Sequence, residues 1–289
     1  MRYMVLGMRR SGTTVVHHCL RGHPDVTAAR REVRVVPFFF EGPNTIFSGE
    51  AIDEDERKCE YLALFEGITH ASEFLVAGRD SEEPSARGMK CAFGLPRDAE
   101  VIVDTLQQYL PEVRIVHVIR RNAAAQFVSL RRAERTGVWH REGEGKEEDA
   151  VQFCVDPYNF TDYAIGALDI REIMDGLRDT HDVLEISYEN NILDGDITSH
   201  KALFEFIGVP YQRASWVGER KLSPSPREYI MNYGQIRALW NTIEAEYETS
   251  ASVTDLRKKY EVSGLERLGK RMLFWGQHPV RAMERLLRA

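Results

Sequence analysis

The stretch Arg2-Tyr3-Met4-Val5-Leu6-Gly7-Met8-Arg9-Arg10-Ser11-Gly12-Thr13-Thr14-Val15-Val16-His17-His18-Cys19-Leu20 decides the reading of this chain. Arg2 to Leu6 reads as a short apolar strand. Gly7 to Thr14 is a small, basic, hydroxyl-rich turn. Val15 to Leu20 opens a helix that Gly22-His23-Pro24 stops. Strand, glycine-bounded loop and helix is the geometry that cradles a phosphate. First-turn N–H groups point at the ligand, and the helix dipole favours its negative charge. Glycine serves where the backbone must approach the anion closely. Arg10, Ser11, Gly12, Thr13 and Thr14 are therefore the candidate anion-binding residues. A nucleoside triphosphatase loop would read Gly-x4-Gly-Lys-Ser/Thr. Gly7 and Gly12 keep that spacing, but Thr13 stands at the lysine position and the cation comes earlier, as Arg9 or Arg10. The loop is equipped for an anion and poorly supplied for a Mg-NTP mechanism.

Working outward, strands alternate with helices. Gly88 to Phe93 is a short apolar run holding one lysine, Lys90, and residues 97–110 read as a helix ending before Pro111. Val113 to Ile119 is rich in β-branched residues and reads as a buried strand. Arg120-Arg121-Asn122 breaks it, and Ala123 to Arg135 is a helix. Residues 158–178 form another helix, Val183 to Ser187 another buried strand, and residues 199–208 a helix closed by Gly208-Val209-Pro210. Residues 53–77 are also helical in pattern, while residues 138–150 are charged and glycine-containing, a candidate flap. This order implies an α/β fold of P-loop type: three layers, with a central, mostly parallel sheet and helices on both faces. One domain over residues 1–289 is expected, with a helical C-terminal extension from about residue 236. Leu265 to Leu287 reads as a basic amphipathic surface helix. Ligands of such sheets bind at the carboxyl ends of the strands, where the first loop, the Arg120-Arg121 turn and Tyr188 all lie.

Composition narrows the classes. The 289 residues are 43% hydrophobic and 29% charged, as in an ordinary water-soluble globular chain. A net charge of −7 argues against a nucleic-acid coat, so an anion site must be a local basic cluster. Cys19, Cys59, Cys91 and Cys154 are widely spread and without metal-ligand spacing, and read as free thiols of a reducing compartment. Arg9-Arg10 interrupts any apolar run at the N-terminus, and no 18-residue apolar stretch exists. Neither a signal peptide nor a membrane span is expected, and a cytoplasmic location is. His17 and His18 have no ligand-spaced partner and read as packing residues.

Four separate segments resemble the sulfotransferases that use 3′-phosphoadenosine 5′-phosphosulfate (PAPS). Arg10-Ser11-Gly12-Thr13-Thr14 followed by His23-Pro24-Asp25-Val26 looks like their 5′-phosphosulfate loop. Arg121-Asn122-Ala123 with Ser129 resembles their 3′-phosphate signature, an arginine at a strand end and a serine in the next helix. Ile186-Ser187-Tyr188-Glu189 is similar to a Tyr-Glu segment after a later core strand, and Phe206-Ile207-Gly208-Val209-Pro210 to a helix end of the family. The matches keep their order over residues 3–210. Within the family the resemblance is greatest to the tyrosylprotein type. Glu32-Val33-Arg34-Val35-Val36-Pro37 is similar to that type's Glu-Thr-Arg-Val-Ile-Pro segment, which carries the catalytic glutamate. Lys90 resembles the lysine that contacts the transferring sulfuryl group. The chain departs from small-molecule sulfotransferases in having Ala92 where they place a histidine. It has Ala133 where the family has a further arginine, and only Arg220-Lys221 is similar to a C-terminal Arg-Lys-Gly motif.

The resemblance implies Glu32, Arg10, Lys90 and Arg34 as the catalytic set. It implies Arg10, Ser11, Gly12, Thr13, Thr14, Arg121, Ser129 and Tyr188 as the PAPS-binding set. Sulfuryl transfer is an in-line displacement in which positioning and charge stabilisation do the work. The sulfuryl group carries one negative charge, so side-chain cations suffice and no metal is expected. Glu32 is the expected base and Arg34 its orienting partner, or the residue that holds the acceptor. Phe38 to Phe40 and Trp139 are candidates for the acceptor cleft, and Arg220, Lys221, Arg227 and Arg237 for nucleotide contacts. The expected partner is an acceptor with a hydroxyl: a tyrosine-like phenol in a peptide, a carbohydrate or a metabolite. Two other readings share the loop: a P-loop nucleotide kinase relative, and a catalytically silent module that senses 3′-phosphonucleotides.

Overall fold

The computed structural model describes residues 1–28, 85–137, 152–193, 197–212, 226–250 and 252–261. Outside these fall Glu32, Arg34, Phe38 to Phe40, Cys59, Trp139, Arg220, Lys221, the helix over 53–77, the segment 138–150 and the end helix from Leu265. The chain divides into two compact units. One is Met1–Arg121 with Ile170–Leu222, the other Asn122–Asp169 with Ser223–Ala289.

The first unit holds the sheet. Its five strands are β1 (Arg2–Met8), β2 (Val26–Ala28), β3 (Ala86–Phe93), β4 (Arg114–Ile119) and β5 (Val183–Ser187), in the order β2-β3-β1-β4-β5. Every pairing is parallel, with Val5 of β1 opposite Lys90 of β3 and Val116 of β4. The strands of a parallel sheet have their carboxyl ends on one edge, so the residues that follow β1, β3, β4 and β5 are brought together there.

Helices cover both faces, as the alternation of the strands requires. Met4, Leu6, Met89, Cys91, Phe93 and Ile115 pack with Ile102 and Leu106 of the helix Pro96–Tyr109 and with Ile170, Met174 and Leu177. On the opposite face Tyr3, Val5, Val116, Val118 and Ile186 pack with Val16, Cys19 and Leu20 of α1 (Thr13–Arg21). Leu203, Phe204 and Ile207, on and just after the helix Ile197–Phe206, join them. Each such side chain, taken from water to full burial, contributes about 1.5–3 kcal/mol, so these two layers hold the sheet.

Several elements differ from the sequence expectation. β2, at one edge, is only three residues long, too short for a period to register. β5, at the other edge, has half-buried Val183, Leu184 and Glu185, because an edge strand lacks a neighbour on one side. The helix expected over 158–178 is α-helical over Pro157–Asp175 and tightens to a 3₁₀ turn at Gly176–Asp179. Tyr188–Leu193 after β5 is a π-helical turn rather than a simple strand exit.

The His23-Pro24-Asp25 turn and the Gly208-Val209-Pro210 helix end, read separately in the sequence, meet here. His23 Nε2 donates to the Pro210 carbonyl at 2.8 Å, and its Nδ1 accepts the Asp25 N–H at 3.1 Å.

The second unit is helical among the described residues. Asn122 caps the helix Ala123–Thr136 by accepting the Ala125 N–H at 2.9 Å, and Gly137 ends it in the left-handed region. Phe127, Phe160, Ile236, Trp240 and Ile243 form its core. Asn232 ties Val155 with two hydrogen bonds, of 2.9 and 2.7 Å. Among the described residues no helix is long and apolar enough to cross a membrane.

One buried group predicts a pH dependence. His117 of β4 is 5% exposed, and burial pushes its pKa down to about 4, partly countered by Asp175. The unfolded chain then binds the proton better than the folded one. Stability is complete above about pH 6.5 and falls as the pH drops toward 4, by on the order of 3 kcal/mol. Urea unfolding at pH 7 and pH 4.5 is expected to show a smaller loss in His117→Leu than in the unsubstituted protein.

Candidate active site

The loop between β1 and α1 is built by backbone conformations that few residues permit. A Cβ on Gly7 would lie 2.5 Å from the Val118 carbonyl oxygen and 2.7 Å from Ser11 Oγ, so the loop can turn off β1 only at glycine. Arg10 has φ 68°, the one non-glycine residue with positive φ among those described, and Gly12 follows at φ 102°. The Ser11 N–H donates to the Met8 carbonyl at 3.1 Å, and the Arg9 N–H to the Phe93 carbonyl at the end of β3 at 2.9 Å. Gly12 is the N-cap of α1 and offers no side-chain acceptor, and no acidic residue stands in the first turn. The helix N-terminus therefore keeps its positive end for a ligand. Ser11 is 1% exposed, and its hydroxyl has no hydrogen-bond partner among the described residues. A buried hydroxyl in that state is a donor awaiting an acceptor.

Lys90 comes from the neighbouring strand. It is 5% exposed on β3, and its Nζ donates to Thr14 Oγ1 at 2.8 Å, so this ammonium is fixed at the first turn of α1. A buried cation is expensive unless an anion or several acceptors compensate it. The fold thus supplies by tertiary contact a lysine that the loop lacks at Thr13.

The ends of β4 and β5 close the other side. Tyr188 lies directly against Gly12: a Cβ there would be 2.8 Å from Tyr188 Cδ2 and 2.8 Å from Ile192 Cδ1. Arg120 stacks its guanidinium on the Tyr188 ring, 4.4 Å from the centroid, and donates through Nη1 to the Arg10 carbonyl at 3.1 Å. Glu189 accepts the Arg121 N–H at 3.0 Å, and the Arg121 guanidinium lies 3.6 Å from Glu185. Arg121 is exposed, its side chain 60% accessible, and reachable by a ligand.

The structure therefore brings Arg10, Ser11, Gly12, Thr13, Thr14, Lys90 and Tyr188 together, with Arg121 at the end of the adjacent strand. Ser129 sits half-buried on the helix Ala123–Thr136, in the other unit from Arg121. His17 is buried in α1, with the His18 ring 6.4 Å away. Cys19, Cys91 and Cys154 are buried and form no disulfide among the described residues, and burial pushes the Cys19 pKa up to about 12. Arg120 lies in the turn that the sequence places at the strand ends, but the sequence assigns it no role of its own. The signal in the sequence is a second arginine beside Arg121 at the same strand end.

A glycine-bounded loop, a buried lysine at the N-terminus of the helix that follows it and arginines at the adjoining strand ends give this parallel α/β protein the donors and the positive charge that hold an anion such as phosphate or sulfate. Two family models each match part of the chain. A model of the sulfotransferase family matches residues 3–84, and a model of the Stf0 sulphotransferases matches residues 92–186. Together they support a sulfotransferase, an enzyme of sulfuryl transfer. Among solved structures, the chain is similar to the sulfotransferase domain of the Synechococcus PCC 7002 olefin synthase, at 14% identity and a TM-score of 0.44 over 83% of this chain and 87% of that one. Mouse sulfotransferase SULT7A1 complexed with PAP (13% identity, TM-score 0.46) is matched over 89% of this chain and 88% of that one. A sulfotransferase from Alicyclobacillus acidocaldarius (17%, TM-score 0.39) is matched over 83% and 94%. No curated protein matches the chain.

Proposed function

We propose that this protein moves a sulfuryl group from PAPS to an acceptor hydroxyl, as one catalytic domain formed by the whole chain. The observation that carries the reading is the Lys90–Thr14 contact at the mouth of the Gly7–Gly12 loop. A kinase loop holds its lysine in sequence at the Thr13 position and its Thr14 hydroxyl on magnesium. Here the lysine itself occupies that hydroxyl.

The residues present fit PAPS. The unpartnered Ser11 hydroxyl, the acid-free N-terminus of α1 and the close approach of Tyr188 and Ile192 to Gly12 make a cradle for a 5′-phosphosulfate. Arg10, Thr13 and Thr14 add donors, and the resemblance assigns the 3′-phosphate to Arg121 and Ser129. Bound there, PAPS would supply the sulfuryl group and leave as 3′-phosphoadenosine 5′-phosphate (PAP). Lys90 and Arg10 would offset the negative charge of the leaving phosphate. Glu32 would take the proton from the acceptor hydroxyl, with Arg34 to orient Glu32 or to hold the acceptor. The resemblance of Glu32 to Pro37 to the tyrosylprotein segment favours a phenolic acceptor, and a tyrosine in a peptide is the acceptor we propose, in the cytoplasm.

Thermal unfolding tests the cofactor. PAP at about 100 times its dissociation constant is expected to add roughly 2.7 kcal/mol of stability, with no need for Mg²⁺. ADP is expected to bind more weakly, and Arg121→Ala to erase most of that preference by removing a charge-assisted bond. Stabilisation by Mg-ATP alone would overturn the reading.

A further inference from the structure

Arg120 spends its charge in an unusual way. Among the described residues it pairs with no carboxylate, and its Nε, though buried, has no partner. Its two contacts are the Arg10 carbonyl and the face of Tyr188. Both lead to the anion loop. Arg10 is the residue held at φ 68°, a conformation an L side chain takes at a cost, so something must hold it. The bond from Arg120 to its carbonyl does so. Tyr188, its ring beneath the guanidinium, lies against Gly12, the next residue of the loop with positive φ. The Arg120 backbone is itself fixed, because it follows β4 and its neighbour Arg121 donates its N–H to Glu189.

We infer that Arg120 is a positioning residue for the 5′-phosphosulfate: it fixes the Arg10–Gly12 turn from outside through a carbonyl bond and the stacked Tyr188. This inference rests on the PAPS reading above. The guanidinium is needed for both contacts at once, since its plane stacks on the ring while an edge N–H reaches the carbonyl. A lysine can make either contact but not both. The uncompensated charge also leaves positive potential at the loop, which favours any anion that arrives there.

The test is isothermal binding of PAP and of ADP to the unsubstituted protein, Arg120→Met, Arg120→Lys and Arg121→Ala, with the melting temperature of each free protein. Arg120→Met is expected to weaken PAP and ADP by the same factor, roughly tenfold to a hundredfold, leaving their ratio unchanged. Arg121→Ala instead collapses the ratio. Arg120→Lys recovers part of the loss, and the free proteins melt within a few degrees of one another. Adding Tyr188→Leu to Arg120→Met costs little more than either change alone, because both act through one contact. Unchanged PAP affinity in Arg120→Met overturns the inference while the cofactor reading stands. A change in the PAP-to-ADP ratio in Arg120→Met also overturns it, by moving Arg120 to the 3′-phosphate. Failure of the unsubstituted protein to bind either nucleotide overturns the inference and the cofactor reading together.

Discussion

Lys90→Met is expected to lower turnover about a hundredfold to a thousandfold, the range for removing a fixed charge from a developing anion. The change conserves volume, which limits repacking around a strand position that is 5% exposed. It also removes a buried ammonium, so the free protein should be as stable as before or more so. PAP affinity should fall much less than turnover, within about tenfold, because in the proposed site the ground-state phosphate would keep Arg10, Thr13 and the helix N-terminus. Turnover would be read as sulfate transfer to a phenolic acceptor from labelled PAPS. Activity retained within a few-fold would remove Lys90 from the chemistry and leave its contact with Thr14 a packing detail.

Glu32→Gln is expected to cost more selectively still. A positioned general base contributes about 10²–10⁴ in rate, and glutamine keeps the shape without the capacity to accept a proton. The PAP-dependent rise in melting temperature should persist in full, since Glu32 faces the acceptor in this reading and not the nucleotide. The acid limb of the pH–rate profile, set by deprotonation of the base, should disappear in the variant. A variant that turns over at the original rate with an unchanged acid limb would remove Glu32 from the chemistry and leave it one carboxylate in a basic run with Arg30, Arg31 and Arg34.

Most of the anion loop was legible because its information is local. Gly7 and Gly12 are required by backbone conformation and by the lack of room for a Cβ, and such constraints show as residue types at fixed spacing. β4 was legible for a similar reason: a central parallel strand is buried on both faces and reads as an apolar run. The short edge strand β2, the half-buried start of β5 and the π-turn at Tyr188–Leu193 were not, because their conformation follows from neighbours distant in sequence. The lysine of the site shows the division best. Lys90 stands out as one charge in an apolar run, but its contact with Thr14 spans 76 positions and exists only once β3 lies beside β1.

By itself the sequence determined the α/β class, the anion loop and its lack of a lysine at Thr13, the strand-end arginines and the order of the motifs. Those features depend on backbone sterics, hydrophobic period and the charge of single residues, all of which are written locally. Tertiary structure alone decided the strand order β2-β3-β1-β4-β5, the delivery of Lys90 to α1, the meeting of His23 with Pro210 and the stacking of Arg120 between Arg10 and Tyr188. Each joins segments far apart in the chain, and side-chain burial and charge compensation select such contacts only after the parallel sheet has put the strand ends along one edge.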